Sequence, residues 1–195
     1  MIKRERKLFL GVGINDADYN VYWKDQYTNK ATICPFYKKW SAMITRCYSP
    51  SKLEKYQSYR GCTVCEEWLR FSNFKAWMEK QDWEGRHLDK DFLSEGTKVY
   101  SEDTCIFISA ELNNFLTFKK SNSGIYPVGV SLEKKTGKYR ASINHGKRVL
   151  TIGTFNSPSD AFHAWKERKK ILAESILKEE DRYLLPYIIK IIDNA

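Results

Sequence analysis

VGVSLEKKTGKYRASINHGKRVLTIGTF, residues 128–155, reads as three strands and two tight turns. Val128–Leu132 is short and mixed. Lys134-Lys135-Thr136-Gly137 supplies a hairpin turn. Lys138–Ile143 then alternates, with Tyr139, Ala141 and Ile143 on one face and Lys138, Arg140 and Ser142 on the other. His145-Gly146 marks a second turn, and Lys147–Phe155 is the third strand. Beyond it, Ser157-Pro158 opens a helix as cap and first-turn proline. Ala161, Phe162, Ala164 and Trp165 form the apolar stripe of that helix. The pattern predicts a small three-stranded antiparallel sheet with one face covered by a helix and the other free and basic.

Charge is concentrated around this stretch. The chain of 195 residues has a formal net charge of +9. Residues 119–170 hold 12 Lys/Arg against 3 Asp/Glu, so the rest of the chain sums to zero. A basic module on a neutral body is the electrostatic footprint of a nucleic-acid-binding element. Aromatic content of 14% and hydrophobic content of 42% exclude wholesale disorder. The apolar stretch at Leu184–Ile192 is interrupted by Pro186 and Lys190, too short for a membrane span. The N-terminus lacks the apolar core of a signal peptide, so the expected location is the cytoplasm.

Upstream, residues 1–35 show no periodicity and are expected as an extension. Phe36–Tyr48 carries Phe36, Trp40, Met43, Ile44 and Cys47 at helical spacing, started by Pro35 and stopped by Pro50. Ser49–Arg60 reads as an irregular connection. Glu66–Trp83 is a second helical region with Trp68, Phe71, Phe74, Lys75 and Met78 along one side, and Trp68, Trp77 and Trp83 are expected in packing roles. His87–Leu93 alternates as a half-buried strand. Ser94–Lys98 is a turn, Cys105–Ile108 a second strand, and Ala110–Leu116 a helix. Strand, loop, strand and helix make a ββα unit. The fold class is therefore α+β, with domains at 36–118 and 125–180, a linker at 119–124 and a tail at 181–195.

Two stretches resemble known families. Gly129-Val130-Ser131, Gly137-Lys138-Tyr139-Arg140-Ala141, Gly146-Lys147-Arg148 and Ile152-Gly153-Thr154-Phe155, with the Ala/Trp helix after them, resemble the AP2/ERF DNA-binding domain. That resemblance implies a sheet laid in the major groove of double-stranded DNA. Ser131, Lys138, Arg140, Ser142, Asn144, Val149 and Thr151 would face the DNA, and Lys134, Lys135, Lys147 and Arg148 would take phosphates. Trp40-x-x-Met43-x-x-Arg46-Cys47-Tyr48, Tyr59–Trp68, Leu88–Asp91, Tyr100-Ser101-x-x-Thr104-Cys105 and Leu112-Asn113 resemble phage-encoded HNH homing endonucleases that carry an AP2-like tail. This implies a ββα hairpin holding one divalent metal, Mg²⁺ or Mn²⁺. Asp89 falls where the strand histidine of that family stands, Thr104 at the bracing Asn, and Asn113 at the helix ligand.

Residues two apart in a strand share a face. His87, Asp89 and Asp91 would then point together, opposite Leu88 and Lys90. With Asn113 they offer a remodelled site: Asp89, Asp91 and Asn113 as hard oxygen ligands, and His87, Asp89 and Asn113 as the catalytic group, His87 as general base. The ordinary alternatives are a surface His87 and an Asp89 paired with Arg86 or Lys90. The five cysteines, Cys34, Cys47, Cys62, Cys65 and Cys105, do not suggest a disulfide framework. Cys62-x-x-Cys65 has zinc-ligand spacing, but no second close pair completes it, and buried thiols are the simpler reading. Two functional readings stay open: a metal-dependent DNA endonuclease anchored by a basic sheet, and a non-catalytic DNA-binding protein that acts by occupancy as a regulator or host-takeover factor.

Overall fold

The computed structural model describes residues 7–24, 26–93, 96–118, 125–146 and 148–195. Lys147, the linker 119–124 and the first two residues of the turn 94–98 lie outside the described residues. The chain divides into two units, residues 1–108 and 109–195. The fold is α+β, with several small sheets and a C-terminal three-stranded antiparallel sheet packed against a helix. Among the described residues, no helix is long and apolar enough to cross a membrane.

The N-terminal unit opens with a small hairpin, β1 (Tyr22–Lys24) and β2 (Ala31–Ile33). Helix α1 (Pro35–Tyr48) buries Tyr37, Trp40, Met43, Ile44 and Cys47. Phe36, expected in that stripe, is half-buried and packs against the same cluster beside Trp83, with ring centroids 4.9 Å apart. The connection after α1 is more ordered than its polar sequence suggests. Ser49 leaves the helical region and Pro50 restarts it as α2 (Pro50–Lys55), followed by a 3₁₀ turn at Gln57–Tyr59.

β3 (Thr63–Val64) precedes α3 (Glu66–Leu69) and α4 (Phe71–Met78). The single helical region expected at 66–83 is thus broken at Arg70, which is extended. Asp16 explains the restart. Its carboxylate accepts the Ser72 amide at 2.9 Å and the Ser72 hydroxyl at 2.6 Å, and pairs with Arg70 at 3.3 Å. Burial raises the Asp16 carboxyl pKa, but these hydrogen bonds outweigh it and leave the net value below normal. The unit ends with β4 (His87–Asp89), β5 (Val99–Tyr100) and β6 (Ile106–Ile108). β4 pairs with β6 antiparallel and β3 with β5 parallel.

The C-terminal unit begins with α5 (Ala110–Leu116), capped by Ser109, whose hydroxyl accepts the Leu112 amide at 3.1 Å. This helix opens the second of the two units, which begins at Ser109. β7 (Val130–Glu133), β8 (Lys138–His145) and β9 (Arg148–Phe155) form the meander expected from the sequence. Helix α6 (Pro158–Ile176) starts at the Ser157 cap, whose hydroxyl accepts the Asp160 amide at 3.1 Å. Residues 181–195, expected as a tail, instead fold. α7 (Leu185–Asp193) packs on α6 and leaves Leu184, Ile188 and Ile192 fully buried.

Candidate nucleic-acid interface

Cross-strand register sorts the sheet residues. Val130 lies opposite Ala141 and Leu132 opposite Tyr139. Val130 and Ala141 are buried, and so is Ile143. They form the helix-covered side with Ala161 and Trp165. The alternate residues make the other face. Ser131 lies opposite Arg140, Arg140 opposite Thr154, Ser142 opposite Thr151, and Asn144 opposite Val149. A bulge between Ala141 and Ser142 leaves Ile152 as the extra residue of β9, which keeps both alternations in phase. Ser131, Lys138, Arg140, Asn144, Arg148, Val149 and Thr151 are exposed and Ser142 is half-buried. Lys134 and Lys135 are exposed in the turn. Val149 is 68% exposed, an apolar side chain set among polar ones on this face.

The face is not purely cationic. The Arg140 guanidinium pairs with the Glu133 carboxylate, its diagonal neighbour across β7 and β8. Glu133 also accepts the Thr136 hydroxyl at 2.9 Å. The Thr136 bond, then Arg140, hold its carboxyl below the ordinary range. This carboxylate was missed in the sequence reading. Its signal was there: Glu133 is the one acidic residue between Lys119 and Arg148.

The strand expected over His87–Leu93 is shorter than its alternation suggests. The strand ends at Asp89, so Asp91 does not continue its face. The reason is local. The Asp89 carboxylate accepts the backbone amides of Asp91 at 2.8 Å and Phe92 at 2.9 Å, which bends the chain into a turn. Asp91 pairs instead with Lys90, whose buried amine also donates to the Thr97 carbonyl at 3.0 Å. Burial pushes the Asp89 carboxyl above its ordinary range, partly countered by those two amides. His87 is exposed and Leu88 is buried. Asn113 lies on α5, in the other unit. Among the described residues there is no group of three or more His, Cys, Asp or Glu that could hold a metal ion.

Thr104 has a bracing role. Its hydroxyl donates to the Val99 carbonyl at 2.8 Å and accepts the Ser101 amide at 3.0 Å, fixing the loop between β5 and β6. All five cysteines are free thiols. Burial pushes Cys47 and Cys105 up to about 12, which leaves them protonated and unreactive. No family model matches the chain, and no similar curated protein or solved structure was found.

Proposed function

We propose that the chain is a duplex-DNA-binding protein that reads its target through the outward face of β7–β9 and acts by occupying it. The observation that carries this reading is the register of that sheet. One face is fully used by α6, and the other offers a row of exposed hydrogen-bonding and cationic side chains, flanked by Lys134, Lys135 and Arg148. Three strands spaced about 4.8 Å apart make a ribbon about 10 Å wide. That fits a major groove about 12 Å wide. Arg140, Ser142, Asn144 and Thr151 are suited to base edges, and the flanking cations to phosphates. The likeness of this stretch to AP2/ERF domains agrees with the same use.

Fluorescence anisotropy with labelled duplex tests it. Binding should weaken steeply with salt, with a log–log slope of about −0.9 per phosphate contact. Arg140→Ala should weaken binding by about 1–3 kcal/mol without lowering the melting temperature. Ala141→Asp should unfold the unit, because Ala141 is fully buried. Salt-independent binding would overturn the proposal.

A second reading, an HNH-type endonuclease, draws on one feature. β4 and β6 pair antiparallel across a loop that carries β5, and α5 follows β6 in the chain, the element order of a ββα unit with an insertion. We rank it second because the Asp89 carboxylate is engaged by the Asp91 and Phe92 amides and the Asp91 carboxylate by Lys90. Supercoiled plasmid incubated with Mg²⁺ or Mn²⁺, and with EDTA, decides between the two. Metal-dependent nicking that is lost in Asp89→Ala would reverse the order.

A further inference from the structure

A concave surface of about 530 Å³ lies within the N-terminal unit, where α1, α2 and the turn at Gln57–Tyr59 meet. Lys38, Ser41, Thr45 and Arg46 line it from α1, Lys52 from α2, and Tyr56 from the turn that follows. The sequence dictates its shape. Lys38, Ser41 and Thr45 recur at helical spacing beside the buried stripe of α1. The Ser49-Pro50 break then brings α2 back against α1.

Among the described residues, no carboxylate lines the groove. Residues 36–60 contain Lys38, Lys39, Arg46, Lys52, Lys55 and Arg60, and a single acid, Glu54. Neither Lys38 nor Lys52 has an ion-pair partner among the described residues, and both are exposed. The amines of Lys52 and Lys55 sit 5.5 Å and 5.3 Å from the Tyr56 ring. Tyr56 in turn meets Tyr59 edge-on at 6.0 Å. Burial, then Arg46 and Lys38, hold the Lys39 amine below its ordinary range, a sign of crowded positive charge. Concave surfaces lined by one sign of charge focus the field and concentrate counter-ions. This charge escaped a whole-chain count because acidic residues elsewhere in the unit cancel it.

We propose that this groove binds the phosphodiester backbone of duplex DNA, a second contact surface separate from the sheet. Lys38 and Lys52 take phosphates, Arg46, half-buried and donating to the Leu88 carbonyl, adds positive charge to the groove wall, and the Tyr56 ring packs against the sugar between the phosphates. The proposal rests on the reading of the chain as a duplex-DNA binder.

The test measures duplex affinity against salt for the full chain, for K38Q/K52Q and for R140Q/R148Q, with a thermal melt of each. Removing two phosphate contacts should make the log–log slope shallower by about 2. Between about 50 and 200 mM salt, wild-type affinity should then fall roughly tenfold more than that of K38Q/K52Q. A folded K38Q/K52Q with the wild-type slope overturns the groove alone. A folded R140Q/R148Q that binds like wild type overturns the sheet reading and leaves the groove standing if its slope arm succeeds. A wild-type chain that binds no duplex overturns both.

Discussion

In the N-terminal unit one buried cluster runs from Ala17 to Phe107 around Trp40, Trp68, Phe71, Phe74 and Trp77. Its rings are in repeated mutual contact: Trp68 meets both Phe74 and Trp77, and Trp40 meets Phe71 and Tyr37. In the C-terminal unit the buried residues around the sheet fall into two smaller groups, Val130, Ala141 and Ala161, and Ile143, Trp165 and Leu172. Among the described residues, half-buried Ile152 and Phe162 pack against both. A thick core tolerates a lost contact because neighbouring rings still exclude water. A sheet covered by one helix depends on single residues, and Trp165 is the largest of its buried side chains. The proposed DNA face therefore rests on the less redundant of the two scaffolds.

The sharpest way to break that contrast is a matched pair of glycine substitutions. Gly129 (φ 77°) and Gly61 (φ 75°) share the left-handed backbone region. A side chain costs about 1–2 kcal/mol there. They differ in surroundings. A Cβ on Gly129 would lie 2.1 Å from Trp165 Cδ1, whereas nothing lies within 4 Å of one on Gly61. Gly129→Ala should therefore add a packing penalty of about 1–3 kcal/mol to the backbone cost. Gly61→Ala should pay the backbone cost alone. Urea unfolding of both variants measures the difference, and equal losses would show that Trp165 yields and the sheet is less tightly held than its geometry implies.

A charged group in the thin core gives a second, smaller contrast. Lys169 is buried, its amine donating to the Phe115 carbonyl at 2.6 Å and lying 3.7 Å from the Phe115 ring centroid. Burial pushes that amine down to about 8, against the carbonyl and ring, which favour the charged form. Between about pH 8 and the ordinary value of 10.5 the unfolded chain holds the proton more tightly than the folded one. Stability from this group must then rise with pH across that window. Relative to Lys169→Met, the wild type should gain on the order of 2–3 kcal/mol from pH 8 to pH 10.5. Parallel stability curves for the two proteins would place the amine in water.

What was legible in the sequence follows the same division. β8 alternates over six residues with polar and apolar side chains strictly separated, so strand, face and register could be read directly. Ser157-Pro158 announced α6 in the same local way. Asp16 was not legible as the brace that starts α4, because the amide it binds lies 56 residues away. Asp91 misled because alternation through 87–93 is compatible with a strand. The turn was decided by one carboxylate capturing two amides, a choice between local hydrogen-bond partners that periodicity does not record. The helix at 185–193 was hidden by Pro186, read as an interruption although proline suits a first turn.

The smallest effect separates the two cationic surfaces from each other. Among the described residues the groove on the N-terminal unit has no carboxylate in its lining, and its exposed Lys38 and Lys52 have no ion-pair partner to give up. On the sheet, Glu133 engages Arg140 and places a negative charge beside the DNA face. Glu133→Gln keeps an oxygen for the Thr136 hydroxyl, and so the turn at 133–137 should hold. It removes the repulsion between carboxylate and phosphate and frees the guanidinium. Duplex affinity should rise about two- to fivefold, and the salt slope should steepen by about 1 as one more cation is engaged. Adding Arg140→Ala to Glu133→Gln should erase most of the gain, because the released side chain is its main source. The same anisotropy titrations measure all three proteins. An affinity gain that survives the loss of Arg140 would assign the effect to charge repulsion alone, and no gain at all would place the DNA away from this end of the sheet.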